Sequence, residues 1–113
     1  MAKRSRPQGC CAIKAVKPLP RARSQRLAEM FKALADPTRL DILRIIMTQS
    51  GPVCACDIVQ RFDLSQPTIS HHLKVLRDAG LLSSRRSGLW SFYEPDPKGL
   101  EQLADLPGLI AGR

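Results

Sequence analysis

The sequence predicts a small, mainly α-helical domain that carries one β-hairpin, and three observations support this prediction. Apolar residues recur at helical spacing along most of the chain. Two predicted helices, at about residues 54–61 and 65–79, are joined by a turn of three or four residues. Two strand-like segments, 81–86 and 89–94, are separated only by a Ser-Gly turn. We therefore expect a helix-turn-helix followed by a hairpin wing, with about five helices and two strands.

Length and composition limit the class of protein. The chain has 113 residues, which suffices for one domain with one modest core. Its apolar fraction of 43% is ordinary for a globular protein. No stretch approaches the ~20 apolar residues of a membrane span, and the basic N-terminus lacks the apolar segment of a signal peptide. We expect a cytoplasmic protein without membrane contact.

Residues 1–23 differ from the rest and are predicted to form a flexible basic leader. Three prolines and a glycine argue against a continuous helix there. Eight Lys and Arg residues and no acidic residue lie within residues 1–26, whereas the other ten basic residues are balanced by ten acidic ones. The N-terminal part therefore carries the net charge of +8. This charge suits a phosphate backbone, although a solvated tail has the same pattern.

The domain itself is predicted over residues 24–106, with a short tail over residues 107–113. A first helix begins at Ser24 and has apolar residues at positions i, i+3, i+4 and i+7. Asp36-Pro37 ends it and begins a second helix, because Asp is a favoured N-cap and Pro fits the first helical position. The second helix runs to about Thr48, is apolar nearly all round and is expected to be the most buried element. A last short helix follows the hairpin.

The helix over residues 65–79 has one apolar face and one face that suits DNA. Ile69, Leu73 and Leu76 share the apolar face. The opposite face offers hydroxyl, amide, imidazole and ammonium groups and has no acidic residue before Asp78, which suits a groove lined by phosphates. A solvated face would show the same chemistry, but the helix-turn-helix spacing and the basic hairpin favour DNA. The candidate DNA contacts are Gln66, Thr68, Ser70, His71, Lys74, Arg85 and Arg86.

Several neighbouring side chains are interpreted as structural. His72 borders the apolar face of the same helix, so we expect a satisfied histidine at the edge of the core. Trp90, Phe92 and Tyr93 are expected to pack within the hairpin and not to stack on bases. These four residues are therefore left out of the candidate DNA surface.

The four cysteines form two close pairs, Cys10-Cys11 and Cys54-Ala55-Cys56. In a reducing cytosol this pattern indicates metal or redox chemistry more than structural disulfides. The Cys-x-x-Cys spacing of zinc ribbons is absent. The second pair lies at the start of a predicted helix, whose free N–H groups and dipole favour the thiolate. Thiolates select soft ions such as As(III), Sb(III), Cd(II) or Pb(II).

The spacing of the second pair limits how it can bind an ion. Residues i and i+2 point about 200° apart on a regular helix, so Cys54 and Cys56 can bind one ion together only if the first turn distorts. One of them joined by the distant Cys10 and Cys11 requires less strain. A thiol enzyme is disfavoured, because neither Cys-x-x-Cys nor a positioned base is evident. We therefore expect no catalytic residues.

Two long segments closely resemble the ArsR/SmtB family of metal-sensing repressors. They are Phe31 to Leu40, which reads FKALADPTRL, and Leu64 to Leu76, which reads LSQPTISHHLKVL. The Gly-Leu-Leu step at residues 80–82 and the hairpin over residues 86–93 are similar to the family's continuation, so the match covers about residues 26–96. The resemblance implies a winged-helix homodimer formed through the first and last helices. It also implies repression from an imperfect palindromic operator until a ligand arrives.

The resemblance also extends to the cysteines, because Cys54-Ala55-Cys56-Asp57 looks like the family's Cys-x-Cys-Asp sensing motif. Certain arsenic repressors pair an N-terminal Cys-Cys with a cysteine of the sensing helix in the other subunit. The resemblance therefore favours As(III) or Sb(III) as inducer, held by Cys10, Cys11 and Cys54 in preference to Cys56. Cadmium and lead repressors use spaced N-terminal cysteines, so Cd(II) or Pb(II) remains an alternative. A disulfide-based redox response is another alternative. The family's second site, with histidine and carboxylate ligands on the last helix, is not matched.

Overall fold

Six helices and three short strands make up the part of the chain that the computed structural model describes, which is residue 13 and residues 15–111. In chain order they are α1 (Arg21–Leu34), α2 (Pro37–Met47), β1 (Val53–Cys54), α3 (Ala55–Val59), α4 (Gln66–Asp78), β2 (Leu82–Ser87), β3 (Trp90–Pro95), α5 (Pro97–Ala104) and α6 (Leu106–Ile110). The expected mainly helical fold with a hairpin is confirmed. It has one more helix and one more strand than expected.

The core forms where α1, α2 and α4 meet the sheet. Each of these helices contributes apolar residues at helical spacing, as the periodicity predicts. The predicted inner face of α4 is confirmed, because none of its three apolar side chains is exposed. Leu81 and Leu82 continue this core from the end of α4 into β2. The buried helical residues are Leu27, Met30 and Ala33; Ile42, Leu43 and Ile46; and Ile69, Leu73 and Leu76.

The expectation that α2 is the most buried helix is wrong. Leu40 is 46% exposed and Met47 is 50% exposed, and the two lie on one side of the helix. The helix packs against α1, α4 and β3 through its opposite side only. A domain of this size has too few elements to cover a helix all round.

The helix boundaries follow local signals in the sequence. The Asp36 carboxylate accepts a hydrogen bond from the Arg39 N–H at 3.1 Å, so the predicted N-cap is confirmed. Ser65 caps α4 in the same way, through the Thr68 N–H at 3.3 Å. Gly80 follows α4 with φ of +82°, which favours glycine, and ends the helix as predicted. α1 begins at Arg21, earlier than expected.

The three strands form one antiparallel sheet in the order β1-β3-β2. The predicted hairpin pairs β2 with β3 from Leu82 opposite Pro95 to Ser87 opposite Trp90. The sequence did not predict β1, which has only two residues and pairs Cys54 with Phe92. Residues 60–65 connect α3 to α4, a longer connection than expected. No helix in the described part of the chain has the length and apolar content to cross a membrane.

Candidate functional site

The outer face of α4 and the adjacent hairpin form one exposed polar surface. All seven candidate DNA contacts lie in the described part of the chain and all seven are exposed. Five of them lie on α4, opposite its buried apolar face, and two lie on β2 near the hairpin turn. Successive strand residues point to opposite faces, so the two β2 arginines extend to both sides of the wing. The α4 contacts are Gln66, Thr68, Ser70, His71 and Lys74, and the β2 contacts are Arg85 and Arg86.

The start of α4 is suited to contact with an anion. Its first turn contains no acidic residue, and Pro67 occupies a position where a backbone N–H would have no partner. The Thr68 hydroxyl lies 2.8 Å from the Ser65 hydroxyl, so both side chains also stabilise the first turn. The N-terminal end of the helix dipole favours phosphate oxygens. This end can therefore contribute to binding a nucleic-acid backbone.

The hairpin turn exposes two large apolar side chains. Leu89 is 98% exposed and Trp90 is 57% exposed. The expectation that Trp90 packs within the hairpin is therefore wrong, although Tyr93 is buried and Phe92 is half-buried as expected. The register explains the difference, since Trp90 pairs with Ser87 at the far end of the hairpin, whereas Tyr93 pairs with Val53 of β1.

Arg39 connects α1, α2 and α4, and the sequence reasoning did not identify it. Its Nε donates to the Ala33 carbonyl oxygen at 2.6 Å, and its Nη1 lies 3.3 Å from His72 Nδ1. The same Nη1 is 3.9 Å from Asp36 Oδ2. His72 is half-buried and has a hydrogen-bond partner, which confirms its place at the core edge. The Arg39 backbone N–H, and after it the guanidinium, lowers the pKa of the Asp36 carboxyl.

The Cys54 and Cys56 thiols are close enough to hydrogen-bond to each other. Cys54 ends β1 and precedes α3 with φ of −71° and ψ of 139°, which is extended backbone. The rule for two residues on a regular helix therefore does not apply, and the expectation that these side chains diverge is wrong. Both cysteines are free, with Cys54 buried and Cys56 half-buried. The two sulfur atoms can approach one ion from the same side.

The environment of Cys56 does not favour its thiolate. The hydrogen bond with Cys54 raises the pKa of the Cys56 thiol, and burial and the Asp57 charge raise it further. The helix start, which we expected to lower the pKa of these thiols, does not outweigh these causes at Cys56. An ion that binds here must therefore displace a proton from a thiol that holds it firmly.

The two thiols do not form a complete metal centre by themselves. Within residue 13 and residues 15–111, no group of three or more His, Cys, Asp or Glu side chains could hold an ion. Cys10 and Cys11, the other predicted ligands, lie outside the described residues. A soft ion at Cys54 and Cys56 would need further ligands from elsewhere.

A helix-turn-helix whose second helix has an exposed polar face, followed by a β-hairpin, defines the winged helix-turn-helix class of DNA-binding proteins. The family model of bacterial regulatory proteins of the arsR family matches residues 36–84. An uncharacterized transcriptional regulator from Methanocaldococcus jannaschii is 46% identical over 69 residues, which cover 61% of this chain and 76% of that protein. The chain belongs to the arsR family of bacterial transcription regulators.

Other relatives in the family are named for metal or metalloid resistance. The arsenical resistance operon repressor of Escherichia coli is 45% identical over 69 residues, which cover 61% of this chain and 58% of that protein. A cadmium resistance regulatory protein of Staphylococcus aureus is 33% identical over 92 residues, which cover 81% of this chain and 75% of that protein. The family resemblance in the sequence is thereby confirmed.

Solved structures of the same family confirm the winged-helix fold. A possible transcriptional regulator for arsenical resistance is 33% identical with a TM-score of 0.65, over 73% of this chain and 83% of that one. A homodimeric winged helix-turn-helix domain from Mycobacterium bovis is 26% identical with a TM-score of 0.65, over 86% of this chain and 90% of that one.

Proposed function

We propose that the protein is a transcriptional repressor that binds operator DNA as a homodimer and releases it on binding As(III) or Sb(III). The observation that carries this proposal is the contact between the Cys54 and Cys56 thiols at the junction of β1 and α3. This junction joins the first helix of the helix-turn-helix to the sheet that contains the wing. An ion bound there would act on both parts of the DNA-binding surface.

In the proposed complex, α4 enters the major groove and the wing follows the adjacent backbone. Gln66, Ser70 and His71 are exposed and have the donors and acceptors that base edges require. Lys74 and Arg85 supply positive charge for phosphates. The basic leader over residues 1–23 adds charge that is independent of DNA sequence.

The ends of the described chain offer an apolar surface for a second copy. The segment before α1 and helix α6 enclose a groove of about 610 Å³ that includes Val16, Leu109 and Ile110. Val16 is 71% exposed and Ile110 is 75% exposed, and a partner would cover them. The homodimeric Mycobacterium bovis relative supports this assembly. A dimer presents two α4 helices, which fits a palindromic operator.

The proposed inducer site combines cysteines from two parts of the chain. Arsenite prefers three sulfur atoms, and Cys54 with Cys10 and Cys11 provides them, either across the dimer or within one subunit. The thiol contact supports a related set, in which Cys54 and Cys56 provide two sulfur atoms and the leader provides the third. In both sets the leader over residues 1–23 becomes fixed to the start of α3.

The same contact favours Cd(II) or Pb(II) as a second candidate. Four thiols are available in the sequence, and cadmium usually takes four. The cadmium resistance relative from Staphylococcus aureus covers a longer part of this chain than the arsenical repressor of Escherichia coli. A cadmium ion would use Cys10, Cys11, Cys54 and Cys56 together. A redox response, in which oxidation releases DNA without an ion, would use the same thiols.

Release requires the ion to bind the DNA-free conformation more tightly, because a ligand with equal affinity for both conformations shifts nothing. Cys54 pairs with Phe92 on β3, which is also a strand of the wing. Drawing the Cys54 sulfur toward an ion therefore changes the position of the wing relative to α4. A coupling free energy of about 1–3 kcal/mol is typical of such systems.

Titration of the reduced full-length protein tests this proposal. An operator is first selected from a random DNA pool, and its release is then followed by fluorescence anisotropy as As(III) or Cd(II) is added. We expect release at the lower concentration with As(III), and no release when oxidant is added without an ion. Operator release by neither ion, with DNA binding intact, would contradict the inducer assignment.

A further inference from the structure

Arg39 makes a hydrogen-bonded connection between the recognition helix and the helix before α2. The guanidinium reaches the Ala33 carbonyl in the last turn of α1 at 2.6 Å and His72 Nδ1 in the middle of α4 at 3.3 Å. Arg39 itself lies in the first turn of α2, three residues after the N-cap Asp36. One side chain therefore fixes α4 relative to α1 and α2.

The chemistry of this contact determines the protonation state of His72. A guanidinium has donors only, so His72 Nδ1 must accept and cannot carry a proton. The single proton of the ring is then on Nε2, and the imidazole is neutral. A second proton would go to Nδ1, where it would remove the hydrogen bond and place two cations against each other.

The geometry points to Arg39 as a positioning residue for operator recognition, and to its bond with His72 as a contact that acidification breaks. This inference rests on the proposed DNA-binding function. His72 is next to the candidate base contact His71 and one helical turn after Thr68. A change in its hydrogen bond therefore alters the part of α4 that is proposed to enter the groove.

The surrounding charges act in both directions. The Asp36 carboxylate, from the start of α2, favours the imidazolium form of His72, but Arg39 lies between them and contacts the ring directly. On α4, the ring centroid of His71 is 6.2 Å from that of His72. From α1, Glu29 and Lys32 line a cleft together with Arg39, His71 and Asp78.

The expected sign of the pH effect at His72 follows from the hydrogen bond. At neutral pH the neutral ring keeps the Arg39 contact and α4 is held in place. As the pH falls the ring gains a proton at Nδ1, the contact is lost, and operator affinity decreases. Protonation of the exposed His71 has the opposite effect, because an imidazolium attracts phosphates. The two histidines must therefore be separated by substitution.

Asparagine at position 72 provides a matched control, because its amide oxygen can occupy the place of Nδ1 and accept from Arg39 without titrating. We compare operator affinity at pH 7.5 and 5.5, at fixed ionic strength, in His71→Asn and in the double variant His71→Asn, His72→Asn. The single variant should lose affinity by about tenfold on acidification, since a hydrogen bond to a charged group is lost. The double variant should change by less than about twofold. Equal losses in both would overturn the proposal.

Nitrogen NMR of the imidazole rings gives a second measurement that needs no DNA. The chain has two histidines, so the spectrum of full-length protein contains two rings, and His71→Asn assigns them. We expect His72 to carry its proton on Nε2 at neutral pH and to lose this preference in Arg39→Lys, because a single ammonium cannot reach all three partners. A proton on Nδ1 of His72 at neutral pH would overturn the proposal. A failure of operator binding with the expected tautomer would instead contradict the proposed function.

Discussion

Gly99 in the first turn of α5 lies directly against the backbone carbonyl of Gly80 at the end of α4. A Cβ atom at Gly99 would overlap with the Gly80 carbonyl oxygen and would lie 3.4 Å from Met30 Cε of α1. Gly80 has φ of +82°, a conformation that side chains other than glycine rarely adopt. The two glycines therefore allow α5 to touch the end of the recognition helix. A displacement of α5 in a dimer would be transmitted to α4 at this point.

This contact predicts that Gly99→Ala is destabilising. The added methyl group must displace backbone atoms, so we expect the free energy of unfolding to fall by about 1–3 kcal/mol. Urea denaturation of the full-length protein measures the change. Gly51→Ala is the matched control, because a Cβ there meets no atom within 4 Å and the change should be small. Equal effects of the two substitutions would contradict the close packing of α5 on α4.

The exposed face of α4 predicts two classes of DNA-binding variant. Gln66→Ala and His71→Ala should relax sequence preference, each at a cost of about 1–3 kcal/mol for the selected operator. Lys74→Ala and Arg85→Ala should weaken binding to all sequences alike and lower the salt slope by about one. Anisotropy titrations over a range of salt concentrations distinguish the classes. Unchanged operator affinity in all four variants would contradict the proposed roles.

The exposure of Trp90 predicts a fluorescence signal from the wing. Trp90 is the single tryptophan of the chain and is 57% exposed. If the wing lies along the DNA, operator binding should protect Trp90 from acrylamide quenching and change its emission. A matched DNA of random sequence at low salt serves as the control for non-specific contact. Operator binding without any change in quenching would show that the wing turn stays in solvent.

The Asp36 carboxyl predicts a specific acid dependence of stability. Its pKa is lowered in the folded protein, first by the Arg39 backbone N–H and then by the guanidinium. Its contribution is therefore present above the pKa of the unfolded chain and is lost as the pH falls through the folded value. Asp36→Ala should lower the free energy of unfolding near neutral pH and have less effect near pH 3. An effect that stays constant over this range would show that the charge of Asp36 has no role.

The parts of the fold that the sequence predicted depend on short-range signals. The α4 helix has apolar residues at strict helical spacing, Ser65 at its N-cap and Gly80 after its end, and each of these acts within one or two turns. The hairpin follows from two strand-like segments and a Ser-Gly turn. The exposed positions of the DNA candidates follow from the same periodicity.

The parts that the sequence did not predict depend on contacts between distant residues. Cys54 is extended because it pairs with Phe92, and this pairing brings the Cys54 and Cys56 thiols together. Arg39 and His72 are 33 positions apart, so no local pattern relates them. Trp90 was expected to pack because aromatic residues favour strands, but its position in the hairpin register leaves it exposed.

X-ray absorption of bound arsenic tests the central claim most directly. We compare the full-length protein with the Cys10→Ser, Cys11→Ser double variant, which keeps the basic charge of the leader, in a phosphine reductant that supplies no competing thiol. We expect three As–S contacts in the full-length protein. The variant should show no more than two and should still bind operator DNA. Three As–S contacts that remain in the variant would contradict the account, because the leader would then not be part of the sensor.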